Sequence, residues 1–96
     1  MKLKWTKQAL SDIEGIDEFI KNESSVEVSK RIIKTIQTSV KTLKEFPHLG
    51  RAGRSPDTRE LIIPNTTYIV PYRVRDQELQ ILAVFHASRR WPETFN

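Results

Sequence analysis

Near the C-terminal end of the 96-residue chain, an apolar run delivers a histidine, two arginines, a tryptophan and a proline: VFHASRRWP, residues 84–92. His86 supplies an imidazole, the side-chain type most used for proton transfer in catalysis. Arg89 and Arg90 carry planar forks that capture carboxylate or phosphate through paired hydrogen bonds. Arg59 and Arg73 stand upstream in segments rich in β-branched residues. Cutting RNA by attack of its own 2′-hydroxyl needs a base, cations to stabilise the phosphorane, and an acid for the leaving 5′ oxygen. His86, Arg59, Arg73 and Arg89 could supply parts of that set. The other chemistry open to these residues is a grip on a charged partner. His86 is then the bonded end of a strand, and an exposed Trp91 beside the arginines would be an anchor.

The set is thin for an enzyme. The last lysine is Lys44 and the last tyrosine is Tyr72, so a lysine-based site in the second half and a C-terminal tyrosine acid are both absent. Glu60 is the carboxylate nearest Arg59, but neighbouring residues of a strand face opposite ways. Proton transfer would rest on His86 alone. With no cysteine in the chain, disulfides and thiolate metal sites are excluded.

The elements that must position these residues follow from periodicity. KLKW, residues 2–5, alternates as a short strand. Thr6 is placed to cap a helix whose stripe is Ala9, Ile13, Ile16 and Ile20, with Gly15 weakening it. Residues 22–25 read as a turn. A longer helix follows, with Val28, Ile32, Ile36, Val40 and Leu43 on one side, ended by Phe46 and Pro47. Two helices joined so closely form an antiparallel hairpin. Residues 59–63, 68–74 and 79–86 read as three strands of an antiparallel meander. Pro71 cannot donate to a ladder and so implies an edge or a bulge. The segment HLGRAGRSPDTRE, residues 48–60, reads as a basic loop and a candidate anion grip.

Length and composition fit one soluble domain spanning residues 1–96, with no signal sequence and no membrane span. The net charge is +4, and the cations are sorted by type: all lysines lie at or before residue 44, and seven of eight arginines lie after it. Arginine is the better carboxylate and phosphate fork. Direct nucleic-acid recognition is weakly supported, because no recognition motif or interleaved aromatics accompany the charge.

Several phrases in this order resemble a known family: A-x-x-D at Ala9–Asp12, P-x-x-G-R at Pro47–Arg51, T-R-E-L at Thr58–Leu61, Y-R-V at Tyr72–Val74, and V-x-H-x-x-R at Val84–Arg89. Together they look like the RelE/ParE superfamily of bacterial toxin–antitoxin toxins, over residues 3–92. The resemblance implies an α+β fold: a short strand, then a helical hairpin packed on a small, mainly antiparallel sheet. Two activities share that scaffold, ribosome-dependent mRNA cleavage and inhibition of DNA gyrase. GRAGR, TREL and VFHASRRWP look more like the ParE branch, which implies a cytoplasmic gyrase inhibitor with no cofactor or metal. A member serving only as antitoxin partner and operon regulator is a third possibility. The implied partners are gyrase and the C-terminal segment of a cognate antitoxin in a hetero-oligomer, with operator DNA reached only through the antitoxin. The candidate partner-binding residues are Arg51, Arg54, Arg59, Arg73, Arg89, Arg90 and Trp91.

Overall fold

Alternation at the start of the chain turns Leu3 and Trp5 toward the core and leaves Lys2 and Lys4 outside, forming strand β1 (Lys2–Trp5). Thr6 caps helix α1 (Lys7–Glu23) as its sequence position predicts, with Oγ1 accepting from the Ala9 N–H at 3.2 Å. The same hydroxyl donates to the Ile81 carbonyl at 2.7 Å, tying the helix start to the far end of the chain. The computed structural model describes residues 1–88. Ser25 caps helix α2 (Val26–Thr42) by accepting from the Val28 N–H. Asn22 and Glu23, predicted as turn, belong to α1, so the link between the helices is only Ser24 and Ser25.

A polar contact joins the two helices. Ser29, fully buried on α2, donates to Asp17 Oδ1 of α1 at 2.5 Å, while Lys21 pairs with Asp17 Oδ2 at 2.9 Å. The Ser29 bond and then Lys21 hold the Asp17 carboxyl below the usual aspartate range. Its contribution is therefore present above the ordinary aspartate value and is lost as pH falls through the lower folded one.

The rest of the chain forms β2 (Arg51–Ala52), β3 (Arg59–Ile62), β4 (Tyr68–Arg75), β5 (Glu78–Ile81) and β6 (Phe85–His86). The strand order is β1-β5-β4-β3-β2, with β6 also pairing β4. The β1–β5 pair is parallel and the other pairs are antiparallel, so the sheet is mixed. Ile20, Ile36, Val40 and Leu43 pack with Leu61, Val70, Tyr72, Leu79 and Ile81 in one buried cluster. One face of the sheet is thereby closed by the helices. Asp76 and Gln77, both with positive φ, make the two-residue turn between β4 and β5.

Two sequence expectations change. The segment 48–60, expected to be all loop, contributes the short strand β2 paired with β3. The single strand expected over 79–86 is broken into β5 and β6. Tyr72 pairs with Ile81 but Ile69 pairs with Phe85, so residues 82–84 stand opposite only Val70 and Pro71. This is a bulge. It also accounts for Pro71, which sits in a central strand and not at an edge. The N and C=O of one strand residue point the same way. The Pro71 carbonyl accepts from the Leu82 N–H at 2.9 Å, so its ring nitrogen faces the bulge, where the ladder is already interrupted.

Among the described residues no helix is long and apolar enough to cross a membrane. A Cβ built on Gly15 meets nothing within 4 Å. Nothing in the packing offsets the helix cost of this glycine, so Gly15→Ala is expected to raise unfolding stability by about 0.5–1 kcal/mol. Chemical denaturation measures it; a destabilised Gly15→Ala protein would contradict this description of the α1 surface.

Candidate functional site

The arginine-rich loop is built around Tyr72. The side chain is fully buried, and its hydroxyl donates to the Pro47 carbonyl at 2.8 Å while accepting from the Gly50 N–H at 2.9 Å. The backbone at Gly50 must approach the ring closely: a Cβ there would lie 2.6 Å from the ring and 2.8 Å from the Glu60 carbonyl. Gly53 is under the same constraint, with the Thr58 backbone 2.9 Å from an added Cβ. The two glycines of GRAGR are therefore close-approach positions. Burial pushes the Tyr72 hydroxyl above its ordinary pKa, and the Gly50 N–H and nearby Arg59 pull it partly back.

Arg59 pairs with Tyr72 and shares the helix-side face of the sheet. Its Nη1 donates to the Gly50 carbonyl at 2.8 Å, so it fastens the same loop. Arg51 donates from Nε and Nη2 to Glu60 Oε1, at 3.0 and 2.8 Å. Glu60 is 3% exposed, and a carboxylate so buried requires a partner. Arg51 remains 58% exposed at its side chain, open to solvent while paired. Arg54 lies on the exposed bend between β2 and β3.

The opposite face, free of helix among the described residues, carries most of the sheet's charge. Lys2, Glu78 and Arg75 form one cross-strand row; Lys4, Gln80 and Arg73 form the next. Arg73 Nε donates to Gln80 Oε1 at 2.7 Å, and Gln80 Nε2 donates to Glu78 Oε1 at 2.8 Å. With the adjoining Arg51–Glu60 pair, these rows hold five cations (Lys2, Lys4, Arg51, Arg73, Arg75) and two carboxylates (Glu60, Glu78). Both carboxylates already accept hydrogen bonds.

His86 lies on the helix side, paired with Tyr68, and their rings meet edge to face with centroids 5.7 Å apart. Its Nδ1 accepts from the Ser88 N–H at 3.1 Å, which leaves the neutral ring's proton on Nε2. A cleft of about 440 Å³ adjoins it, walled by Asp12, Gly15 and Phe19 of α1 and by Tyr68. Asp12 is engaged on both oxygens: Oδ2 accepts from the Val84 N–H in the bulge at 2.9 Å, and Oδ1 from Gln8 at 2.7 Å. It holds the helix to the bulge.

Among the described residues the fold does not bring His86 together with Arg59 and Arg73. Arg59 and Arg73 face opposite sides of the sheet but border one cleft, and His86 lies apart from it. Arg59 and His86 pair with Tyr72 and Tyr68, four residues apart on β4 and hence separated by roughly 13 Å along the strand. Arg89, Arg90 and Trp91 lie outside the described residues. Sequence reading passed over the structural parts of Asp12, Tyr72 and the Lys2–Arg75 rows. Each stands within or beside one of the family phrases, but contacts that span from 22 residues (Tyr72 to Gly50) to 72 (Asp12 to Val84) leave no local periodicity to find.

Comparison with known proteins agrees with this architecture. The family model "ParE toxin of type II toxin-antitoxin system, parDE" matches residues 3–91. "Putative toxin Y4kP" of Sinorhizobium fredii is 36% identical over 92 residues, covering 96% of this chain and 94% of the relative. Among solved structures, the chromosomal ParDE system from P. aeruginosa superposes with a TM-score of 0.84 at 28% identity, over 90% of this chain and 95% of that one. The toxin–antitoxin complex RelBE of E. coli gives 0.56 at 16% identity, over 92% and 98% of the two chains, which is a likeness of fold alone. The chain belongs to the ParE toxin family of type II toxin–antitoxin systems.

Tyr72→Phe would leave the Gly50 N–H and the Pro47 C=O without their partner. A loss of about 1–3 kcal/mol at pH 7 is expected in urea unfolding. The raised Tyr72 pKa sets the sign of its pH dependence: the contribution is complete below the ordinary phenol value near ~10 and is lost as pH rises through the higher folded value. The gap between the two proteins should therefore narrow in strong alkali. Identical unfolding midpoints at pH 7 would disprove the clasp.

Proposed function

We propose that this protein is a toxin that arrests growth by binding DNA gyrase, and that a cognate antitoxin neutralises it. The observation that carries the reading is the separation of His86 from Arg59 and Arg73: His86 pairs with Tyr68 at one end of β4, while Arg59 and Arg73 border a cleft at the other. Proton transfer and phosphorane stabilisation require convergence within hydrogen-bond reach of one phosphate, and those three side chains do not offer it. Membership of the ParE family and the close superposition on a ParDE toxin support the same choice. The antitoxin partner is supported by membership of the ParE family and by the ParDE toxin–antitoxin system that the chain resembles.

Binding needs exposed charge held in fixed geometry, and the described part of the molecule has that. The helix-free face presents Arg73 and Arg75 with Lys2 and Lys4 beside them, and the loop presents Arg51 and Arg54 on a scaffold fastened by Arg59 and Tyr72. Arg89, Arg90 and Trp91 follow directly in the sequence and complete the proposed contact set.

The test is a supercoiled-plasmid assay with gyrase, ATP and antitoxin-free protein, ended with detergent and protease. Linear DNA is expected with gyrase and absent without it. Arg73→Glu should lower its yield about tenfold or more, since reversing one charge in a complementary interface costs upward of about 1.4 kcal/mol. His86→Gln should leave the yield within about twofold. Folded protein that arrests growth, yields no linear DNA and cleaves ribosome-bound mRNA would replace this reading with the nuclease one.

A further inference from the structure

Strand β4 runs past the start of β3, and one of its backbone rungs is left empty. Leu82 donates to Pro71, so Pro71, Arg73 and Arg75 direct their backbone groups toward β5, while Tyr72 and Val74 direct theirs toward β3. Tyr72 meets Arg59, the first residue of β3. Two residues further along, the rung at Val74 falls opposite Asp57, which has a φ of 61° and belongs to the turn leading into β3. Among the described residues, nothing bonds the Val74 N–H or C=O on that side.

The empty rung opens into a cleft of about 350 Å³ between β4, the Asp57–Arg59 segment and Pro47. Val74 is 42% exposed, and Phe46 and Leu49, on either side of Pro47 in the chain, are each 57% exposed. Arg59 and Arg75 line the cleft, and among the described residues Asp57 is its one carboxylate. Arg75 makes no side-chain ion pair or hydrogen bond among the described residues, and Arg59 uses only Nη1.

We infer that this cleft is where an extended acidic segment of the antitoxin docks, adding a short strand to β4 at the Val74 rung. The inference rests on the toxin–antitoxin reading above. The geometry specifies the segment. A residue placed across from Val74 shares its face and is apolar; its two neighbours share the face of Arg73 and Arg75 and are acidic. The pattern is acidic–apolar–acidic in an extended stretch, with main-chain bonds to Val74 for affinity and the arginines for selection. A strand added at this point also covers a piece of sheet edge that is otherwise open to unwanted pairing.

The experiment is amide hydrogen exchange on the toxin, free and in complex with its cognate antitoxin, with binding measured for Arg75→Glu and Arg75→Lys. Exchange at Val74 is expected to slow at least about 100-fold in the complex. Arg75→Glu should weaken binding about tenfold or more at low salt, with the loss shrinking as salt is raised, and Arg75→Lys should retain most of the affinity. A complex that forms with Val74 exchange unchanged overturns the inference and leaves the antitoxin reading standing. No complex at all overturns that reading itself. An Arg75→Glu protein that loses binding to DNA fragments but keeps its antitoxin affinity would assign the cleft to phosphate and also overturn the proposal.

Discussion

A buried hydroxyl must find a donor and an acceptor or be costly to bury, and the Tyr72 hydroxyl finds both in one stretch of backbone, Pro47 to Gly50. Much of the arginine-bearing half of the molecule depends on this arrangement. Because Tyr72 is set in the central strand, the chain leaving α2 is drawn down onto the sheet, and there is room for it only where residue 50 has no side chain. Once the loop is there, its carbonyls lie in reach of Arg59, and Arg51 is brought beside Glu60. The phrases P-x-x-G-R, T-R-E-L and Y-R-V are thus parts of one clasp, each supplying what another needs.

A second constraint works at the other end of β4. Proline in a central strand removes a ladder donor, and the bulge at 82–84 accepts that loss by breaking the ladder opposite it. The bulge in turn frees the Val84 N–H, and Asp12 of α1 takes it. One irregularity answers another, and the helix is fixed to the sheet at the point where both occur. The carboxylate of A-x-x-D is explained as a backbone acceptor, so the family phrases at both ends of the chain describe how the scaffold closes.

How much of this was legible in the sequence depended on range. Caps, stripes and turns are local, and Thr6, the stripe from Ala9 to Ile20 and the α2 stripe stood out by spacing alone. Alternation correctly divided β4 into a Tyr72 face and an Arg73 face, and that division separates the candidate catalytic residues. It did not show that Arg59 lies with the tyrosines, because register between strands is set by turns and bulges that periodicity does not count. The 82–84 break was hidden for a similar reason: buried apolar residues continue through it, and a bulge leaves no mark in a hydrophobic run. Pro71 was the visible sign, and it pointed to a choice between edge and bulge that only pairing could make.

The parallel pairing of β1 with β5 has a consequence for synthesis. Residues 2–5 leave the ribosome long before their sheet neighbours, residues 78–81, and the hydroxyl of Thr6 and the acceptor at Asp12 wait for Ile81 and Val84. Loop closure over so long a span brings no stabilising contacts until nearly the whole chain is present. A nascent chain therefore holds its helical hairpin without a finished sheet beneath it, and a translation product stopped before residue 78 has nothing to pair with β1. The sheet and the helix contact it carries are completed together, once residues 78–84 have emerged.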